Sequence, residues 1–169
     1  LDFGLGLGDG VKAVSAEAEG APEAAAAFTL RQKGAYKAGN IFETRLGDKA
    51  LAESDARSSG ALSVAGKNGG LLLAVREFWQ NYPKEISVRP NRLSIALWPQ
   101  FGGYPGGQSV YNLCGGRQKT HEIVLSFGPG GKDAAEFLAK RVNQPLMALA
   151  APEYYADCGA LGLFGPAGV

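Results

Sequence analysis

The sequence predicts a mainly β protein: an antiparallel β-sandwich that hands over to a short C-terminal helical segment near Gly131. Three observations predict it. Glycine is abundant, 25 of 169 residues, and Gly-Gly pairs punctuate the chain, which suits many short strands joined by tight turns. Three pairs of short apolar runs flank turn-forming residues between positions 41 and 99. After residue 131 the apolar spacing changes from the period of a strand to that of a helix.

Strand signals run from about residue 26 to residue 127. AFTLRQKG and IFETRL are short and partly alternating, and Gly47-Asp48 separates IFETRL from KALAES as a hairpin turn. GALSVA and LLLAVREF flank KNGG, where Asn68-Gly69 offers the positive φ values of a type I′ turn. EISV and RLSIALWP flank Arg89-Pro90-Asn91, with proline presetting the first turn position. In RLSIALW, Leu93, Ile95 and Leu97 share one face. GGYPGGQS reads as a loop, and KTHEIVLSF as the last strand. EAEGAPEAAAA, near the N-terminus, reads as a lead-in or a loop.

In GKDAAEFLAKRVNQP, Ala134, Phe137, Leu138 and Val142 fall on one helical stripe. Asp133 with Glu136 has capping-box spacing, Lys140 and Arg141 complement the C-terminal end of the dipole, and Pro145 stops the helix. PLMALAAPEYYADCGAL then leads toward further helix. The opening LDFGLGLGDG carries no Met and the closing LFGPAGV is loop-like, so the chain reads as a piece of a longer protein.

Composition excludes several classes. The net charge is +1, so no strong field recruits nucleic acid, and no apolar run approaches the ~20 residues that span a bilayer. One His and two distant cysteines, Cys114 and Cys158, give a zinc site no support; one disulfide is the most they could form. No Asp-rich loop suggests calcium. LGLGDG is not followed by a helix pattern and is a poor phosphate cradle. No GxSxG is present, and no pair of carboxylates has a readable glycosidase spacing.

Three stretches hold the chemistry. His121, the only histidine, shares the odd positions of strand 119–127 with Lys119, Ile123, Leu125 and Phe127. It can cap the rim of the core on a backbone carbonyl, or it can act with Lys119 on an anionic ligand as acid, base or clamp. VREFWQNYPKEI places Arg76, Trp79, Gln80 and Tyr82 in one short span. That combination suits sugar binding, by stacking on flat rings and by hydrogen bonds from amides and guanidinium. It also suits a β-to-turn corner in which Phe78 and Trp79 fill the core. Tyr154, beside Glu153 and Tyr155, is a third candidate contact.

REFWQNYPKEI followed by RLSIALWP, then GGRQKTHEIVLSF before a helix and PLMALAAPEYYADCGALG, resembles the exo-rhamnogalacturonan lyase-like proteins. This is a polysaccharide lyase family with fungal and bacterial members. The motifs run from about Leu71 to Gly162. The resemblance implies that residues 1–130 are a central β-sandwich of the galactose-mutarotase-like, supersandwich type. Residues 131–169 would then be a linker helix and the start of a truncated α/α toroid. It implies β-elimination on rhamnogalacturonan or a related acidic polysaccharide, with the isolated chain inactive. A base must take the C5 proton of a uronate and a cation must neutralise its carboxylate; His121, Lys119 and Arg76 are the right types. Arg76, Trp79, Gln80, Tyr82 and Tyr154 are the candidate substrate contacts. Flanking domains of the same chain are the expected partners, and a secreted or periplasmic location follows from the resemblance. No cofactor, metal, nucleic acid or membrane partner is expected. The alternative is a carbohydrate-binding or purely structural sandwich without catalysis.

Overall fold

A computed structural model describes residues 1–23, 26–34, 41–100, 116 and 118–158. The GGYPGGQS loop and Cys114, and hence any bridge to Cys158, lie outside the described residues. Among the described residues eleven strands form two antiparallel sheets packed face to face, the β-sandwich expected from the sequence.

The six-stranded sheet has the order β1-β10-β9-β4-β5-β6. Its strands are β1 (Asp2–Gly4), β4 (Phe28–Gln32), β5 (Phe42–Leu46), β6 (Lys49–Ser54), β9 (Lys84–Arg89) and β10 (Arg92–Ala96). The five-stranded sheet has the order β11-β8-β7-β2-β3. It contains β2 (Lys12–Ser15), β3 (Glu19–Gly20), β7 (Ala61–Gly66), β8 (Gly69–Val75) and β11 (Ile123–Phe127).

Two of the expected hairpins form as read, β5–β6 around Gly47-Asp48 and β9–β10 around Pro90-Asn91. In the β7–β8 hairpin the turn sits one residue earlier than expected. Gly66 pairs with Gly69, so Lys67 and Asn68 make the corner, and neither has a positive φ. The turn is therefore not the type I′ form, because the ladder continues through Gly69 and takes it out of the loop.

Among the described residues EAEGAPEAAAA is loop apart from the two-residue β3, but strands already form ahead of it, before residue 26 where the strand signals begin. β1 adds an edge to the six-stranded sheet beside β10, and β2 lies inside the five-stranded sheet beside β7. Leu7, Val11 and Ala13 are buried in the core. Strands of three, four and two residues carry too few alternating positions to stand out, and the partners β10 of β1 and β7 of β2 lie far along the chain.

The main core lies between the sheets. Phe28, Leu30, Ile86, Val88, Leu93 and Ile95 meet Leu62, Val64, Leu71, Leu73 and Val75 from the other side. Each such side chain contributes on the order of 1.5–3 kcal/mol on burial. The alternate residues of β7 and β8 are small or apolar too, Ala61, Ser63, Leu72 and Ala74 among them, because α1 (Lys132–Asn143) covers the outer face of that sheet. A strand buried on both faces reads as a continuous apolar run, which is what LLLAV is.

Helix α1 forms where expected but faces differently. Ala135, Ala139 and Val142 are buried against Ala61 and Ala74, whereas Phe137 is 64% exposed. Alanine against alanine admits close approach of helix and sheet, and a phenylalanine on that line would hold them apart. The Asp133–Glu136 capping box does not form. Gly131 occupies the N-cap with no side-chain bond, and Asp133 lies in the first turn, where it still complements the dipole. A second short helix, α2 (Pro152–Asp157), follows.

One notch fixes how the sheets are joined. Gly60 has φ +70°, and a Cβ there would stand 2.2 Å from Cβ of Phe78, which is fully buried. The segment before it is tied to the six-stranded sheet through buried Gln32, whose Oε1 accepts the Ser58 N–H at 2.9 Å. Gly60→Ala is therefore expected to lower stability by at least about 2 kcal/mol, from steric overlap plus left-handed strain. Chemical denaturation at neutral pH checks it; an unchanged midpoint would mean that Phe78 moves aside without cost.

Candidate functional site

On β9 the inward row is Lys84, Ile86 and Val88. Lys84 is 0% exposed, so strand alternation drives a primary amine into the end of the apolar core. Its Nζ donates to the Asn81 carbonyl at 3.0 Å and lies 3.0 Å from Nδ1 of His121. Among the described residues it forms no ion pair. Burial pushes its pKa down to about 8, helped by the nearby Lys119 charge and opposed by Glu77.

His121 is half-buried, and Trp98 meets its ring edge-on with centroids 5.3 Å apart. Its Nε2 is shut off from solvent and has no hydrogen-bond partner among the described residues. Burial, then the charges of Lys84 and Lys119, hold its pKa below the usual value, so the ring is neutral at pH 7. The strand ladder begins only at Ile123, so Lys119 and His121 precede β11 and share no strand row. The expected partner, a backbone carbonyl, is replaced by the Lys84 amine. Residues 118–120 are exposed and lie beyond the end of β8, where no strand remains to pair with.

The corner between β8 and β9 builds this site. Arg76 is ion-paired to Glu122 at 2.9 Å, and its N–H donates to the Glu122 carbonyl. Glu77 takes the left-handed φ of 50°, its N–H held by Oδ1 of Asn143 on α1 at 2.8 Å. Its carboxylate accepts from the Asn81 side chain at 3.2 Å, and Asn81 presents the carbonyl that Lys84 uses. A continuous hydrogen-bonded path thus runs from α1 to the buried amine.

The same corner opens a second feature on the other side. Trp79 and Gln80 line an open groove of about 550 Å³ against the C-terminal half of α1. The Arg57 guanidinium lies over the Trp79 ring, 4.1 Å from its centroid. Trp79 is half-buried, so only Phe78 fills the core as the corner reading expects. Tyr82 is half-buried between Asn81 and Pro83, joined to the latter by a cis peptide bond. Tyr154 lies on α2, 64% exposed, edge-on to Tyr155.

Of the residues singled out from the sequence, His121 and Lys119 come together around Lys84, and Trp79 and Gln80 share the groove. Arg76 is committed to Glu122, and Tyr154 makes its ring contact locally. Lys84 is the functional candidate that the sequence reading missed. Its signal was present: in KEISV the lysine occupies the same parity as Ile86 and Val88, an inward position for a charged side chain.

Comparison with known proteins fits this architecture. Residues 43–98 match the family model of the PcRGLX-like protein central beta sandwich domain. This central-sandwich match of rhamnogalacturonan lyase-like proteins runs from β5 through β10 and includes Arg76, Trp79, Gln80, Tyr82 and Lys84. His121 and Lys119 lie beyond it. The chain is also similar to the uncharacterized protein YetA of Bacillus subtilis (strain 168), 27% identical over 132 residues. That alignment covers 64% of this chain and 15% of YetA, so the chain spans a small part of that relative's length.

The buried amine gives a pH signature with a definite sign. Between about pH 8 and the ordinary lysine value of 10.5, the unfolded chain holds the Lys84 proton more tightly than the folded one. Stability relative to a Lys84→Met variant should therefore rise with pH through that window and be flat below it. Denaturation midpoints of both chains from pH 6 to 10.5 check this; parallel curves would mean that Lys84 titrates normally. In the same variant the His121 pKa should rise, since one cation is gone, yet stay below 6.5 because burial, the first cause, remains. NMR titration of the ring protons reads it.

Proposed function

We propose that the chain is a sandwich domain of a polysaccharide lyase-like protein that acts on rhamnogalacturonan or a related acidic polysaccharide by β-elimination. The observation that carries the reading is the buried Lys84 amine, unpaired by any carboxylate among the described residues and within hydrogen-bond distance of His121. A structural lysine at 0% exposure is costly, and a depressed pKa beside a neutral imidazole is the arrangement a proton-transfer site uses.

The proposed chemistry balances as follows. With Lys84 charged, its ammonium donates to Nδ1 and the ring proton sits on Nε2. Above about pH 8 the neutral amine can accept from Nδ1–H, which leaves the Nε2 lone pair free. Nε2 is shut off from solvent in the resting arrangement, so the step requires that the ring be uncovered first; Nε2 then takes the C5 proton of a uronate while the Nδ1 proton passes to Lys84. The C5–H electron pair forms the C4–C5 double bond, the C4–O bond breaks, and the departing oxygen takes a proton from water. Exposed Lys119 is placed to pair the uronate carboxylate, whose charge would otherwise resist formation of the carbanion-like intermediate.

Trp79 and Gln80 are proposed as sugar contacts because they share the groove; Arg76, Tyr82 and Tyr154 enter that reading by residue type. Residues 131–169 are proposed as the passage into a helical domain that completes the cleft, which makes the isolated chain inactive. The acidic polysaccharide and the flanking domains are the proposed partners, and a secreted or periplasmic location belongs to the same reading.

In the full-length protein, His121→Ala is expected to lower turnover on rhamnogalacturonan at least tenfold, since a positioned acid or base contributes about 10²–10⁴. The rising limb of the pH–rate profile should track the Lys84 value of about 8 and be lost in Lys84→Met. Unchanged kinetics in both variants would remove the pair from the mechanism.

A further inference from the structure

The groove beside α1 carries features that the elimination chemistry does not use. It is bounded by Glu17 after β2, by Arg57 and Ser59 before β7, by Phe78 and Trp79 at the corner, and by Ala139 on α1. Two polar atoms from different segments, Oε2 of Glu17 and Oγ of Ser59, are shut off from solvent with no hydrogen-bond partner among the described residues. Leaving such atoms unpaired disfavours the folded chain unless a ligand satisfies them. Both residues line one groove, and a change of side-chain rotamer is what would turn either atom toward a ligand in it.

The wall chemistry selects the ligand class. Trp79 is a flat ring held in place by the Arg57 guanidinium, and Phe78 and Ala139 add apolar surface. A pyranose presents C–H groups to such a surface and hydroxyls at its rim. The unpaired carboxylate oxygen needs a donor, which a sugar hydroxyl supplies; a uronate has hydroxyls too, but its carboxylate would stand near the like charge of Glu17. Charge in the groove is balanced, Arg57 and Lys140 against Glu17 and Glu136, so it offers no net pull on an anion.

We infer that this groove is a saccharide subsite for a neutral pyranose unit, with Trp79 as its platform and Glu17 and Ser59 as its hydroxyl partners. Its volume of about 550 Å³ suits one or two sugar units. If the polysaccharide is the rhamnogalacturonan of the proposed function, the unit held here is the neutral sugar, while the Lys84–His121 pair takes the uronate; the groove itself does not depend on the elimination chemistry.

The test is an NMR titration of the whole chain, following the Trp79 indole N–H, with L-rhamnose, a neutral galactan oligosaccharide and an oligogalacturonate as separate probes. The Trp98→Phe variant identifies which of the two indole signals belongs to Trp79. A saturable Trp79 shift with a neutral probe, in the millimolar range expected for so small a contact, supports the subsite. That shift should weaken at least fivefold in Glu17→Ala and in Ser59→Ala and persist in His121→Ala. Both substitutions sit at the groove wall, and the unperturbed amide spectrum reports that the fold is intact. A shift with oligogalacturonate alone overturns the neutral class. No shift with any probe, or a shift indifferent to Glu17 and Ser59, overturns the subsite. Neither result touches the lyase reading, which stands or falls on His121→Ala turnover.

Discussion

Phe78 seated in the notch at Gly60 is the contact on which the rest of the molecule depends. The chain must leave the five-stranded sheet at Val75 and enter the six-stranded sheet at Lys84. It does so by burying one aromatic where a glycine, and only a glycine, leaves room. That anchor fixes the neighbours on either side. Glu77 and Asn81 turn toward Lys84, and Trp79 and Gln80 turn toward α1. One corner therefore builds two chemically different surfaces, an amine-imidazole pair and an aromatic groove.

Helix α1 is part of that arrangement rather than an appendage. It covers the outer face of β7 and β8 through Ala135, Ala139 and Val142, and its Asn143 holds the strained backbone of Glu77. A non-glycine residue at φ 50° is costly and persists where surrounding contacts enforce it. Here the enforcing contact comes from the element that the sequence places after the last strand. Anything that shifts α1 on the sheet reaches Lys84 through three hydrogen bonds.

Lys84 shows how stability and chemistry oppose each other in this fold. Burying an amine without a carboxylate disfavours its charged form, and a hydrophobic side chain at that position would pack without that cost. The same burial is what brings its pKa down to about 8, where a lysine can exchange a proton near neutral pH. The outer face of the six-stranded sheet follows the opposite rule. There Arg31 stands between Glu43 and Glu85 on neighbouring strands, and Lys33 and Arg45 also approach Glu43, so each of these charges has a partner of opposite sign.

The sequence by itself determined the sheets, the positions of two hairpins and the helix after Gly131, because these rest on local period and turn chemistry. It also held the signal for Lys84, an inward parity in KEISV. What tertiary structure alone decided was everything set by distant contacts. The short strands β1 and β2 exist because strands about 90 and about 50 residues away pair with them, and β3 then adds to the edge of β2. The buried face of α1 followed from the small residues of the sheet beneath it, not from the most apolar stripe. His121 lost its strand row because β8 ends at Val75, and gained Lys84 because a different strand points there. Periodicity reports which way a side chain faces within its own element; it carries no information on what the rest of the chain brings to meet it.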